Sequence, residues 1–320
     1  MPDGAPNDRL GLAKWLLRPD HPLTARVAVN RLWQQVFGTG LVKTQEDFGS
    51  QGEWPSHPEL LDWLAVEFRE SGWDVKALMR MFVTSAAYRQ SAVAPADLHA
   101  RDPNNRLLAR GPRFRLDAEM LRDQALAASG LLVEKVGGPS VKPPQPDGLW
   151  KAVGYSGSNT VRFQKDTGPD KVYRRSLYTF WKRTSPPPQM IDAPSRENCT
   201  VRRERTNTPL HALMFLNDPQ YFETARAFAE RLLKRDGSPE EKIAYAFERA
   251  TSRKPTDKEI GIVKNAIGDH WNEFKANPED AKKLIAIGES KPDESLDPPE
   301  LAAWTMGMNL ILNLDETLNK

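Results

Sequence analysis

Helix-start signals recur along this chain and limit what it can fold into. Ser238-Pro-Glu-Glu241 and Thr256-Asp-Lys-Glu259 have the hydroxyl-x-x-glutamate spacing in which two side chains satisfy backbone N–H groups reciprocally at a helix N-terminus. Ser56-His-Pro-Glu59 repeats that spacing with a proline inside the first turn, and Asp74 and Asp297-Pro-Pro-Glu300 mark two further starts. Apolar residues at helical spacing follow each signal: Leu61, Leu64, Ala65 and Phe68; Leu78, Met79 and Phe82; Ile243 and Phe247; Ile260, Val263 and Ile267; Leu301, Trp304, Met308 and Ile311. Val29, Leu32, Trp33, Val36 and Phe37 form another such stripe after Thr24, closed by Gly38. The chain therefore reads as mainly α, a helical bundle.

The period breaks twice. Residues 39–55, with three glycines, read as a loop between helices, and the polar, lysine-rich run from Asn277 to Asp297 reads as another. A larger change comes at Gly137-Gly138-Pro139, after a helix expected over Leu116 to Leu132. From there to Thr206 prolines and glycines replace helical spacing, and pieces such as Ser176 to Trp181 alternate as short strands do. Three regions follow from this: an N-terminal helical block (1–136), an irregular, partly β, arginine-rich middle segment (137–206) and a C-terminal helical block (207–320), together one domain. Trp150, Tyr155, Phe163, Tyr173, Tyr178, Phe180 and Trp181 give the middle segment enough aromatic surface to pack rather than stay disordered.

Candidate chemistry concentrates between Val172 and Asn217. Arg174, Arg175, Lys182, Arg183, Arg202 and Arg203 stand there among aromatics, with His211 at the step into the next helix. Guanidinium groups offer a planar fork to carboxylate, sulfate or phosphate, and neighbouring rings can stack on a sugar, which suits an acidic or sulfated polysaccharide. The same arginines can instead pair with Asp192, Glu197, Glu204 and helix C-termini, holding an irregular backbone that has no ladder of its own. Cys199, expected to be buried, has His211 twelve positions on as a conceivable base, although no third residue is set beside them.

Other classes are disfavoured. The 45 basic and 43 acidic residues leave +2, so no global field attracts nucleic acid. A single cysteine rules out an internal disulfide, a CxxC knuckle and a CxxCH haem attachment in this chain, and five scattered histidines show no metal-ligand spacing. Dinucleotide, Walker and serine-hydrolase fingerprints do not occur. No apolar run approaches the roughly 18 residues of a membrane span.

Several long blocks resemble a known family: residues 22–49 (PLTARVAVNRLWQQVFGTGLVKTQEDFG), 55–65 (PSHPELLDWLA), 115–123 (RLDAEMLRD), 174–183 (RRSLYTFWKR), 199–213 (CTVRRERTNTPLHAL) and 310–316 (LILNLDE). They are similar to the planctomycete family catalogued as domain of unknown function 1553, over essentially the whole chain. The resemblance implies placement after a c-type cytochrome domain and a second domain, of unknown function 1549, in large secreted proteins. It implies an extracytoplasmic setting, with haem c on a partner or upstream domain, whereas Met1 taken as the true start, with no signal sequence, implies a cytoplasmic one. Two functions follow as expectations. One is an accessory or binding module for an anionic glycan or a c-type cytochrome; the other is an enzyme acting on polysaccharide, oxidatively in concert with that cytochrome.

Overall fold

A computed structural model describes residues 4–145, 148–153, 157, 163–182, 186–187 and 191–320. The chain divides into two compact units, Met1–Phe114 and Arg115–Lys320.

The first unit holds α1 (Arg9–Leu16), α2 (Thr24–Phe37), α3 (Pro58–Glu70), α4 (Val75–Thr84) and the short α5 (Ala86–Arg89) and α6 (Ala96–Arg101). Its core joins the apolar faces of α2, α3 and α4, with the Trp33 ring stacked on Phe37 at 3.9 Å and edge-on to Phe82. Asp74 caps α4, accepting from Ala77 N at 3.0 Å. The box expected at Ser56 does not form: α3 begins at Pro58 after His57, and Ser56 Oγ meets the His57 ring instead. Proline at the first helical position supplies the fixed φ that a start needs and removes an N–H that a cap would otherwise serve. The 39–55 loop is real and tightly held. Buried Asn30 donates to Val42 O and accepts from Val42 N, both at 2.9 Å, while Arg106 donates to Gly40 O and Leu41 O.

The second unit contains α7 (Ala118–Ser129), α8 (Leu149–Ala152), α9 (Pro169–Val172), a 3-10 turn (Ser176–Tyr178), α10 (Pro209–Asn217), α11 (Pro219–Leu233), α12 (Pro239–Thr251), α13 (Asp257–Ala276), α14 (Pro278–Ile285), α15 (Pro298–Leu312) and α16 (Asp315–Leu318). Both capping boxes close as the spacing predicts, at Ser238 and Thr256. The centre is α15, whose Leu301, Ala302, Ala303, Thr305, Met308 and Ile311 are fully buried, so that it is covered nearly all round by α11, α13 and α14. Close approach needs small residues: a Cβ on Gly307 would lie 2.5 Å from Ile267 on α13. Each fully buried Leu, Ile or Phe side chain here contributes about 1.5–3 kcal/mol over an exposed one.

Three expectations need correction. The middle segment is not partly β: among the described residues it has only the isolated bridges Val133↔Arg174 and Val141↔Thr179. Its carbonyls are satisfied by side chains, as described below, so no neighbouring strand is required. The stretch after Asn277 is not all loop, since α14 forms on two buried apolar residues, Ala281 and Ile285. The helix after Leu116, placed by the sequence in the N-terminal block, packs instead on α11 and α12 within the second unit.

Candidate functional site

The irregular segment is anchored from α7. Arg122, 3% exposed, donates through Nε to Gln220 Oε1 at 2.6 Å, through Nη2 to Val172 O at 2.9 Å, and through Nη1 to Arg174 O and Ser176 Oγ at 2.8 and 3.1 Å. Burial pushes its pKa down from the usual arginine value, with Asp123 opposing, and the four acceptors keep the cation satisfied. Asp123 accepts from Ser176 N and Oγ at 2.7 and 2.8 Å.

Arg174 continues the chain of contacts. Buried to 4%, it donates to the carbonyls of Lys135, Gly137 and Pro139 at 2.9, 2.7 and 3.0 Å, with its guanidinium 3.6 Å from the Tyr178 ring centroid. Its two Nη groups are thus spent on backbone, while Nε is buried without a hydrogen-bond partner among the described residues. Behind it the aromatics pack on each other: Trp150 stacks on Phe163 at 4.0 Å, with Phe180 at 5.9 Å and Lys182 Nζ 5.6 Å from the Trp150 ring. At 6% exposure Trp150 presents no face to a sugar.

A narrow crevice of about 20 Å³, room for about one water, opens between the start of α7, residues 191–205 and α10. Three arginines (Arg115, Arg203, Arg205) and three carboxylates (Asp117, Asp192, Glu204) line it, beside His211 and Phe215. Arg203 binds Glu119 at 2.6 Å and lies 3.9 Å from Asp117; Arg205 is 3.6 Å from Asp117. The hydrogen bond from Arg203 to Glu119 raises the arginine's pKa, whereas burial lowers that of Arg115, which stands 5.4 Å from the Phe215 ring. Asp192 adopts φ +57° and accepts from Thr206 N at 2.6 Å and from its hydroxyl, closing the loop between them. His211, 9% exposed, turns into the crevice, and its imidazole makes no hydrogen bond with a described residue. With the arginines matched by carboxylates, the crevice has little surplus positive charge to hold an anion.

The remaining candidates lie outside it. Arg175 is largely exposed, with Nε 3.4 Å from Asp123 Oδ2, and Arg202 is exposed. Arg183 falls outside the described residues, as do Tyr155 and Arg162. Cys199 is exposed rather than buried and does not line the crevice that His211 enters, so nothing in the geometry pairs the two. Among the described residues Arg175 and Arg203 do not pair with Asp192 or Glu204, two of the partners that sequence reasoning named. Arg203 and Arg175 meet Glu119, Asp117 and Asp123, all around the first turns of α7.

Sequence reasoning also missed a buried polar node. Glu223, 1% exposed, accepts from Tyr173 Oη at 2.6 Å, Glu289 N at 3.0 Å, and Ser290 N and Oγ at 2.6 Å. Arg226, equally buried, donates to Ile285 O at 2.5 Å and Ser290 O at 2.8 Å. Burial, then the bond to Glu223, raises the Tyr173 pKa well above the usual phenol value. Gly288, at φ +115°, lies where a Cβ would be 2.7 Å from the Glu223 side chain. On the helical repeat of α11 these two charged residues are three apart and read as a solvated pair; only the descent of the 286–290 backbone onto them reveals their role.

One face of α10 is left apolar and exposed. Leu210, Leu213 and Leu216 are 72%, 57% and 43% exposed, while His211 and Phe215 point inward. At 100° per residue the three leucines share an arc of about 120°. Among the described residues no three or more His, Cys, Asp or Glu side chains gather as a metal site would require, and no helix is long and apolar enough to cross a membrane.

Compared with known families, residues 8–267 match the model described as "Protein of unknown function (DUF1553)". No curated protein and no solved structure matches the chain.

Proposed function

The chain belongs to the DUF1553 family, and on that premise we propose that it is an accessory binding module whose second unit docks a partner protein through the exposed leucine face of α10. The observation that carries this reading is the α10 face itself: three leucines on one arc, uncovered, on a helix whose other side is fixed by Phe215 and His211. A folded protein leaves so apolar a helix face in water at a cost, and an apolar centre rimmed by polar groups is the usual anatomy of a protein interface. The family resemblance supplies the partner, a c-type cytochrome domain. An anionic polysaccharide, the other ligand proposed from the arginine content, would have to rely on Arg175, Lys182 and Arg202, because Arg174 and Arg203 are engaged internally.

The test is titration of the full chain with a c-type cytochrome domain of the kind that accompanies the family, followed calorimetrically. Binding is expected for the native chain and a loss of at least tenfold for Leu210→Asp with Leu213→Asp, whose stability should be nearly unchanged because both side chains are exposed. Equal binding by both proteins, or none by either, removes the docking role from α10.

A second reading draws on His211, an imidazole without a hydrogen bond among the described residues, lining a crevice with Asp117 and Asp192. This is the place where an enzyme acting on polysaccharide would keep a proton-transferring group. Turnover of a polysaccharide by the native chain that His211→Asn abolishes would favour it over docking.

A further inference from the structure

Among the described residues the most exposed large hydrophobic side chain is Trp54, at 90%, on the 39–55 loop of the first unit. An isolated surface aromatic is ordinary, but the backbone that carries this one is held on both sides. Glu53 N donates to Thr44 Oγ1 at 2.9 Å, that hydroxyl donates to Asp47 O at 2.9 Å, and Ser56 N donates to Leu41 O at 2.9 Å. Gly52 N bonds Gly49 O, and a Cβ on Gly52 would lie 2.3 Å from Asp47 O. Leu41 and Val42 are fixed in turn by Arg106 and Asn30. The loop thus pays for order through hydrogen bonds while the indole packs on nothing: no ring contact or cation over its face occurs among the described residues.

Trp54 edges a groove of about 370 Å³, open to solvent and at the lower end of the size range of ligand clefts. Its floor is apolar, with Val42, Phe48 and Leu61, and its polar rim is Arg26, Asp62 and Glu53. Each charge on that rim is met within the unit. Arg26 Nε bonds Asp62 Oδ1 at 2.6 Å, and Lys43 Nζ lies 3.3 Å from Glu53 Oε1. Both carboxylates remain more than half exposed, keeping oxygen lone pairs free toward the groove.

We propose that this groove is a saccharide-binding site for an uncharged hexose chain, with Trp54 as the stacking platform. A pyranose presents a face of C–H groups whose positive edge suits the π-surface of one indole, and its hydroxyls donate to carboxylates already held in place by a cation. Paired charges give the groove no field, which matches a neutral chain and distinguishes the site from the arginine-bearing surface of the second unit. A proline-rich peptide would need several exposed aromatic walls in a row, and of the two aromatics lining the groove Phe48 lies in its floor, leaving Trp54 alone as an exposed wall.

Affinity electrophoresis of the full chain tests this, in gels containing hydroxyethylcellulose, galactomannan or laminarin as neutral probes and dextran sulfate as the anionic one. Retardation by at least one neutral polysaccharide is expected, unaffected by 0.5 M salt, weakened at least tenfold by Trp54→Ala and retained by Trp271→Ala. Trp54→Ala should keep the native urea midpoint, because its indole is exposed, and Asp62→Asn gives a second, milder reduction. Migration unaltered by every neutral polysaccharide, or retardation equal in Trp54→Ala, overturns the proposal. So does retardation by dextran sulfate alone that salt abolishes, which moves glycan binding to Arg175 and Arg202.

Discussion

Arg122 and Arg202 illustrate how little an arginine's type says about its task. Both lie close to acidic neighbours in sequence, yet one is buried under four acceptors and the other is in water. Replacing Arg122 with methionine keeps most of the packing volume but strands the carbonyls of Val172 and Arg174 and the Asp123 carboxylate. The expected cost is about 3–5 kcal/mol, read as a lower urea midpoint with loss of the near-ultraviolet signal of the middle-segment aromatics. Arg202→Ala should stay within about 0.5 kcal/mol of native. The distinction was not legible in the sequence, because arginine density marks a region without showing which donors meet backbone. The reading that arginines pin an irregular segment describes Arg174, whereas the residue that does most of the pinning, Arg122, sits on a helix and looked like part of its polar face.

Among the elements, those with chemical start signals were legible and those held by tertiary contact were not. Thr256 and Glu259 name the start of α13 in the sequence, and the same glutamate also carries a long-range tie. It accepts from Thr256 N at 2.7 Å and from Arg253 Nη2 at 2.6 Å, and Arg253 in turn meets Glu316 at 2.6 Å, linking α13 to α16. The hydrogen bond from Arg253, then that from Thr256, lowers the Glu259 pKa from 4.5 to about 2. A carboxylate with a depressed folded-state pKa stabilises the fold fully above its unfolded value and loses that contribution as pH falls through the folded one. The window here is therefore between about pH 4.5 and about pH 2. Glu259 is partly exposed, so solvent screening reduces the contribution to about 1 kcal/mol. Glu259→Gln should unfold at lower urea than the native chain at pH 7 by about that amount, with the two converging as pH approaches 2. By contrast, α14 has two buried apolar side chains in its whole length and forms because α15 offers them a place; no periodicity announced it.

For the whole chain, the sequence reading set its main break at residue 137, whereas the two compact units divide at Phe114–Arg115. Gly137-Gly138-Pro139 is the most visible change in composition, yet the division falls at Phe114–Arg115, just after the single Gly111-Pro112 pair and before the acidic start of α7. The second unit explains why. Leu116 N donates to Leu318 O at 3.1 Å beside the bridge between Arg115 and Asn319, so the unit's first and last residues are joined to each other. Between them lies one large core of α11, α12, α13, α14 and α15, with a smaller cluster in which Leu121, Phe215, Tyr221 and Leu318 bring α7, α10, α11 and α16 together. A unit of 206 residues with its own core and closed ends meets the conditions for independent folding. Residues 115–320 expressed alone should show a helical circular dichroism spectrum and a single cooperative urea transition. Within that piece, Phe228→Ala, which empties a fully buried site in the large core, should cost about 3–5 kcal/mol. Deleting Leu318, Asn319 and Lys320 removes the closing bridge and part of the smaller cluster together, and should lower the midpoint while leaving the transition cooperative. A gradual, non-cooperative melt of the intact 115–320 piece would show that the closed ends and the core inside them do not suffice as a folding unit.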